Sequence, residues 1–387
     1  MTEIPQHPEQ QPSNWPGKTP ELGEFVSDTA ITPDDEDDTS PQQTDLDHLD
    51  ITATDDETDE ADAAAASQES VVEDEVFFGV AENNQPDTPP AVETTEYDKI
   101  SVTAINNAKL MTRTGIPLYE EIAETAEELW AAGEHDVQPQ LIQPNVNAPG
   151  IEVRYRLGNE LTADAAQVFD IAAGLTPRGL TMTTNNPDLT YVEFDLPVMT
   201  DLKTRVVETL EDRQLAVKSD NLHLEAGNAT DAASMVEAAR HLDPDQPVTI
   251  TSEGLLHYLS HDEKAAVAQG IGALLTRHGG VWYTDMPVQE GIAGRGSAMA
   301  STTTRQTGRS IADNRFANEA EAREFFAGQG LEVKQLHSYV EPGLVDSLTS
   351  PAIVGVTREE VVAANRPWSM WAIGLPEPDD EPRPRRF

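Results

Sequence analysis

The sequence predicts an α/β fold: a Rossmann-like, doubly wound and mostly parallel sheet, with helices before it and a disordered acidic tail at the N-terminus. Three observations carry this. Apolar runs of strand length alternate with helical periodicities between residues 96 and 375. Small residues and carboxylates stand where those strands end. The acidity is concentrated in one quarter of the chain.

The elements follow in order. Ser101 to Trp130 carries Ile116, Leu118, Ile122, Ala123, Ala126 and Leu129 at helical spacing, enough for two or three helices. Val168-Phe169-Asp170-Ile171-Ala172 reads as a short buried strand that ends at Gly174, and Leu189 to Phe194 as a second. Met199 to Leu210 is helical, Leu222 to Glu225 a third strand, and Val248 to Ser252 a fourth, buried on both faces. Ser260 and Glu263 form a capping box that opens a helix bearing Ala266, Val267, Ile271, Leu274 and Leu275, and Gly279-Gly280 stops it. Val281 to Thr284 is a fifth strand. A helix from Glu319 to Gly328, a strand at Leu331 to Val333 and a last strand within Trp368 to Leu375, parallel or antiparallel, complete the body. There is no internal repeat.

The 387 residues hold 70 acidic and 25 basic side chains, a formal charge of -45. Residues 1–95 contribute 26 acids against the single base Lys18, a balance of -25, which leaves -20 for the remainder. Runs such as Asp34-Asp35-Glu36-Asp37-Asp38 bury too little apolar surface to offset ordering entropy, so 1–95 is expected to be a disordered acidic tail. Residues 96–375 form the folded domain, and 376–387 a second disordered tail. The apolar island Val71-Val72 and Val76 to Val80 reads as chance hydrophobicity, with a docking motif for a protein partner as the alternative. Removal of 1–95 is expected to leave the body and its ligand affinity unchanged.

Charge and composition exclude several classes. An acidic surface repels phosphate, so no nucleic acid is expected as a partner. No stretch approaches the ~18 apolar residues that would span a bilayer, so no membrane partner is expected. The N-terminus lacks the basic and apolar regions of a signal peptide. Without cysteine there is no disulfide, thiolate metal site or cysteine nucleophile. A cytoplasmic location is the simplest.

In a doubly wound sheet, ligands sit beyond the carboxyl ends of the strands. The first such end, Asp170 to Gly179, offers the small residues Ala172, Ala173 and Gly174, which admit close approach to the backbone. It is neither a dinucleotide fingerprint, since Ala172 and Thr176 stand where glycines belong, nor a phosphate loop. The second end presents Glu193 and Asp195 on one side of the strand, about twenty residues later, where an acid can accept both ribose hydroxyls of a nucleoside. They also read as a solvated pair. The third end is Glu253-Gly254-Leu255-Leu256-His257-Tyr258-Leu259. A carboxylate emerging there needs a cationic partner, either a sulfonium or amine ligand or a structural arginine such as Arg178 or Arg154.

With Ala172-Ala173-Gly174, with Tyr191-Val192-Glu193-Phe194-Asp195-Leu196-Pro197 and Lys203 behind it, and with Glu253 to Leu259, the sequence resembles the leucine carboxyl methyltransferase-like family. These are class I S-adenosylmethionine (SAM) dependent O-methyltransferases, and the resemblance covers about residues 97–375. It implies SAM as cofactor and assigns roles. Arg154, with Arg156 second, would pair with the methionyl carboxylate, and Ala172 and Gly174 would lie against the methionyl part. Asp195 would hold the ribose. Asn228 and Ala229 would flank the adenine, where relatives more often carry Asp than Asn. Glu253 would meet the methionyl amine, and Tyr258 would line the cleft. Ser101 to Ala131 and Gln289 to Asn314 would form the lid. Arg295, Arg305, Arg309 and Arg315 in the latter read as a clamp for an anionic substrate or as a loop paired with the protein's own acids. Lys109 and Arg113 are weaker candidates of the same kind.

The resemblance implies methyl transfer to a carboxylate or hydroxyl of a small molecule or peptide. A carboxylate needs no general base, whereas a hydroxyl does, and His257 is the side chain whose ordinary pKa suits that task. From another class, the body is a methyltransferase-like binding module whose acidic tail recruits a partner, a reading to which Ala172, Thr176 and Asn228 lend support. The charge excess also reads as adaptation to high salt, which leaves the chemistry open.

Overall fold

The computed structural model describes residues 98–112, 114–133, 148–289, 304 and 307–377. Residues 1–95 and 378–387, which hold the expected N-terminal tail and all but the first two residues of the expected C-terminal one, lie outside the described residues.

Two helices open the body as expected, α1 (Asp98–Met111) and α2 (Tyr119–Ala131). A third, α3 (Ala148–Thr162), shows little periodicity because it is buried on several sides, Glu152, Tyr155 and Gly158 included. The strands are β1 (Gln167–Ile171), β2 (Thr190–Asp195), β3 (Leu222–Ala226), β4 (Val248–Ser252), β5 (Gly280–Asp285), β6 (Glu332–Ser338) and β7 (Ser369–Gly374). Among the described residues they form one sheet in the order β3-β2-β1-β4-β5-β7-β6. β1 to β5 run parallel, and β7 is antiparallel to both β5 and β6. The fold is therefore the expected doubly wound sheet, with its last strand reversed.

Between strands lie α4 (Arg178–Asn185), α5 (Pro197–Asp212), α6 (Ala232–Ala238), α7 (His261–His278) and α8 (Glu319–Gly328). Pro197 starts α5 at a position that needs no N–H donor. The Ser260–Glu263 capping box opens α7. α4 was not legible because Thr181, Thr183 and Thr184 are poor helix formers; here each hydroxyl donates to a carbonyl four residues back. β6 runs to Ser338, beyond the apolar signal, because it is an edge strand with a register shift at Val333/Gln335 and exposed Lys334 and Gln335.

Alternation along the strands sorts two apolar layers. Phe169, Ile171, Val192, Phe194, Ile250 and Trp282 pack with α6, α7 and α8 on one face. Val168, Tyr191 and Leu222 pack with α5, α1 and α2 on the other. At about 25 cal/mol per Å² of apolar surface removed from water, these layers are the dominant stabilising term. They leave the carboxyl edge of the sheet as the place where polar side chains converge.

Candidate functional site

Two groups of side chains stand at that edge. The first surrounds the turn after β1. Ala172 and Gly174 both have left-handed backbone, with φ of 56° and 54°. Glycine adopts this freely, but an alanine there is strained by about 1–2 kcal/mol. The turn is held by Ala172 N–H donating to Phe194 O (2.7 Å) and Gly174 N–H donating to Asp195 Oδ2 (2.7 Å). The other oxygen of Asp195 accepts from Leu196 N–H (2.7 Å). Burial pushes the Asp195 carboxyl up to about 6, against these two N–H groups, which favour the anion. Ala173, Gly174, Asp195, Met199, Thr200 and Leu224 line a small cleft here, and Ala104 of α1 lies over Gly174.

Glu193 lines the same cleft, but its carboxylate is engaged by Lys203 Nζ at 2.5 Å. Lys203 also donates to Thr176 O (2.7 Å). This buried pair ties β2 and α5 to the turn after β1. Of the two acids that strand alternation put on one side, Asp195 is the half-buried one, while Glu193 is buried against Lys203. Asn228, in the loop after β3, accepts at Oδ1 from Thr230 N (3.0 Å) and Thr230 Oγ1 (2.9 Å), so the carbonyl end of its side chain shapes the loop. Ala229 packs against the apolar layer beside it.

The second group joins the ends of β4 and β5 to α3 and α4. Glu253 Oε1 accepts from Arg178 NH2 at 2.5 Å, and Glu253 Oε2 lies 3.6 Å from Arg154 Nε. Burial raises the Glu253 carboxyl, opposed by Arg178 and then Arg154. Both arginines named as structural partners for this acid are thus its partners. Arg178 is fully buried, also donates to Asn159 Oδ1 (2.7 Å) and Tyr155 O (3.2 Å), and lies over the Tyr155 ring. Gly158 of α3 makes room for this pair, since a Cβ there would collide with Glu253 Oε1 and Arg178 NH2.

Asp285, the last residue of β5, was not singled out from the sequence. Its Oδ1 accepts from Gly254 N–H (2.7 Å), and its Oδ2 lies 3.1 Å from both Arg154 NH1 and His257 Nε2. Burial pushes its carboxyl up, but Arg154 and His257 outweigh that and hold it well below the usual carboxylate range. The signal that could have found it is the one that found Glu253, an acid that closes a buried parallel strand. Asp170 was also missed as a site group. It accepts from Tyr191 OH (2.8 Å) and Thr251 Oγ1 (2.7 Å) and lies 3.8 Å from Arg178.

Other expected residues take different places. Arg156 pairs with Glu152 (2.8 Å), away from the cluster, which singles out Arg154. Tyr258 OH donates to Thr103 Oγ1 of α1 at 3.4 Å, linking the loop after β4 to the helix above. His257 also packs edge-on to Trp368. Arg309 pairs with Glu263 (2.8 Å) and donates to Tyr258 O, Arg315 donates to Gln289, and Lys109 pairs with Glu127 (2.6 Å). These three cations thus bind the protein's own groups, while Arg113, Arg295 and Arg305 lie outside the described residues. Lys264 of α7, lowered to about 8 by burial, donates to Leu259 O and to Asn314 O (2.7 Å) and so fastens the end of the expected lid segment to the loop after β4. Among the described residues no helix is long and apolar enough to cross a membrane.

No curated protein matches the chain. Among solved structures it is similar to LepI, solved in complex with SAH and a substrate analogue (12% identity, TM-score 0.35; 56% of this chain and 46% of that one). It is similar to the mitomycin 7-O-methyltransferase MmcR (14% identity, TM-score 0.38; 73% of this chain and 74% of that one). A third is a DUF574 family protein from Streptomyces avermitilis (16% identity, TM-score 0.43; 71% of this chain and 97% of that one). The chain thus spans less than half the length of the first of these. The family model for leucine carboxyl methyltransferase matches residues 106–272, a stretch that runs from α1 into α7 and holds the β1 turn, Asp195 and Glu253. That stretch, somewhat under half of the chain, is similar to the leucine carboxyl methyltransferase family.

Proposed function

We propose that this chain transfers a methyl group from SAM to a carboxylate or hydroxyl oxygen of a small molecule or peptide, and that the two side-chain groups divide the cofactor between them. The observation that carries this is Asp195. It closes β2 beside a strained small-residue turn, and each of its oxygens accepts one backbone N–H and retains a second lone pair for a hydroxyl. The residues fit the cofactor. Asp195 accepts from the ribose, Ala172 and Gly174 admit the methionyl chain, and Asn228 and Ala229 flank the adenine. Arg154 meets the methionyl carboxylate. Glu253 meets the amine, in a cluster where Asp170, Glu253 and Asp285 outnumber Arg154 and Arg178 and favour an added cation.

When bound, SAM supplies a methyl group on a positively charged sulfur, which an oxygen nucleophile displaces in line. The protein's task is to align the nucleophile and exclude water. α1 covers Gly174 through Ala104 and bonds Tyr258 through Thr103, which shields the cleft from above. His257 turns Nε2 toward Asp285 Oδ2, and the tautomer with its N–H on that nitrogen leaves Nδ1 as the acceptor. A hydroxyl substrate would give its proton to Nδ1, and Asp285 would balance the imidazolium. A carboxylate substrate would use His257 only as a wall of the cleft.

The test is calorimetric titration of SAM and S-adenosylhomocysteine into the intact protein and into Asp195→Ala. Binding is expected to the former and to vanish in the latter, with the fold unchanged by circular dichroism. An intact protein that binds neither ligand up to millimolar concentration would overturn the reading.

A further inference from the structure

Tyr339 has no part in the assignments above, and its environment gives it one. It follows Ser338, the last residue of β6, and so stands at the same carboxyl edge as Asp285. Its backbone N–H donates to Trp368 O (3.2 Å), which fixes the residue beside the start of β7. Its ring packs with Val153 and Leu157 of α3, with Leu344 and with Met370. Val153 is the immediate neighbour of Arg154.

The side chain is 4% exposed, and its hydroxyl is buried with no hydrogen-bond partner among the described residues. Buried hydroxyls almost always find a partner, so each exception asks for a cause. Arg154 Nε is likewise buried and makes no hydrogen bond among the described residues, with Glu253 Oε2 3.6 Å away as its ion-pair partner. The two groups are neighbours in charge as well as in packing. Tyr339 interacts electrostatically with Asp285, Arg154 and Glu253, and burial raises its phenol well above the ordinary value, so the group is a neutral donor. Asp285 already accepts from Gly254, Arg154 and His257, and Glu253 accepts from Arg178. A phenol and a guanidinium N–H that make no hydrogen bond among the described residues, beside an Asp285 that is already supplied, leave a place for an acceptor brought in by a ligand.

We infer that Tyr339 is a cofactor-binding residue whose hydroxyl donates to the methionyl carboxylate of SAM, with Arg154 Nε as the second donor to the same group. A neutral donor suits the place. It holds one end of the ligand's zwitterion without another positive charge to compete with the amine for Glu253. The inference rests on the cofactor placement proposed above, and the test separates the two.

S-adenosylhomocysteine, and S-adenosyl-3-thiopropylamine, which lacks only the carboxylate, would be titrated calorimetrically into the full-length protein and into Tyr339→Phe. Each protein would also be melted without ligand. The variant is expected to bind S-adenosylhomocysteine about tenfold more weakly, which is about 1.4 kcal/mol, and the decarboxylated ligand equally well. Its unliganded melting temperature should be unchanged or higher, because the change removes a hydroxyl that has no partner. Equal S-adenosylhomocysteine affinity in the two proteins would overturn the assignment. So would an equal loss for both ligands, which would make Tyr339 a prop of the cleft. Failure of the intact protein to bind S-adenosylhomocysteine would overturn the cofactor placement itself.

Discussion

Asp195 and Asp285 hold matching places, each the last residue of a parallel strand at the carboxyl edge, yet the protein solves their desolvation in opposite ways. Asp195 is held by two backbone N–H groups and has no cation in hydrogen-bond contact among the described residues. Asp285 is held by one N–H, a guanidinium and an imidazole. Neutral dipoles offset only part of the cost of burying charge, so the first carboxyl sits high, near 6. The Arg154 guanidinium at 3.1 Å, with the His257 imidazole beside it, more than offsets it and holds the second in its ionised form. A carboxylate with weakly satisfied oxygens suits recognition of ribose hydroxyls. One met by a guanidinium, an imidazole and a backbone N–H suits the fixing of other side chains.

That contrast is open to direct attack. The largest effect is expected from Asp285→Ala, which removes the nearer carboxylate of Arg154 and leaves it Glu253 at 3.6 Å. Loss of one partner from a buried pair costs about 3–5 kcal/mol, read as a shift in the urea midpoint. Asp195→Ala is expected to cost less, about 1–3 kcal/mol for the N–H groups left unpaired. Equal losses would mean that the two sites do not differ as described.

Acid and base titration should then separate the residues by sign. The folded pKa of Asp195 is raised to about 6, so its contribution to stability is fully present below the unfolded value near 4 and is lost as pH rises toward 6. The Asp285 carboxyl is depressed, so its contribution is present above about pH 4 and is lost as pH falls below that. Denaturation between pH 3 and 7 should show both slopes. Asp195→Asn should flatten the upper one and Asp285→Asn the lower, and a variant that alters the wrong limb would break the comparison.

The smallest effect concerns the turn that Asp195 supports. Ala172→Gly removes a Cβ from left-handed backbone and should stabilise by about 1 kcal/mol, with SAM affinity unchanged by calorimetry. A loss of stability would show that the methyl group packs usefully and that its strain is overstated.

Much of this was legible beforehand, and the exceptions share a cause. The strands β1 to β5 and the capped helix α7 were readable because burial on two faces and a Ser-x-x-Glu cap leave local marks. The β1 turn, Asp195 and Glu253 were readable because strand ends in such a sheet are where ligands go. α3 and α4 were not, because their helical state depends on neighbours that bury Glu152, Gly158 and Arg178. Glu193 looked equivalent to Asp195, and Lys203, ten residues on and nearly two turns into α5, is what separates them.

The sequence by itself determined the fold class and the list of acids that close the strands, since both depend on short-range pattern: alternation, small residues at a turn, one carboxylate per strand end. It did not determine which acid meets which cation. Arg154 and Asp285 lie 131 residues apart, as do the partners Arg178 and Glu253 at 75. Only the packing of α3 and α4 over β4 and β5 brings them within reach. The strength of such a contact depends on separation and burial, which are properties of the folded molecule and not of chain order. That is why Asp285 and Tyr339, unmarked in the sequence, stand beside the residues that the sequence did mark.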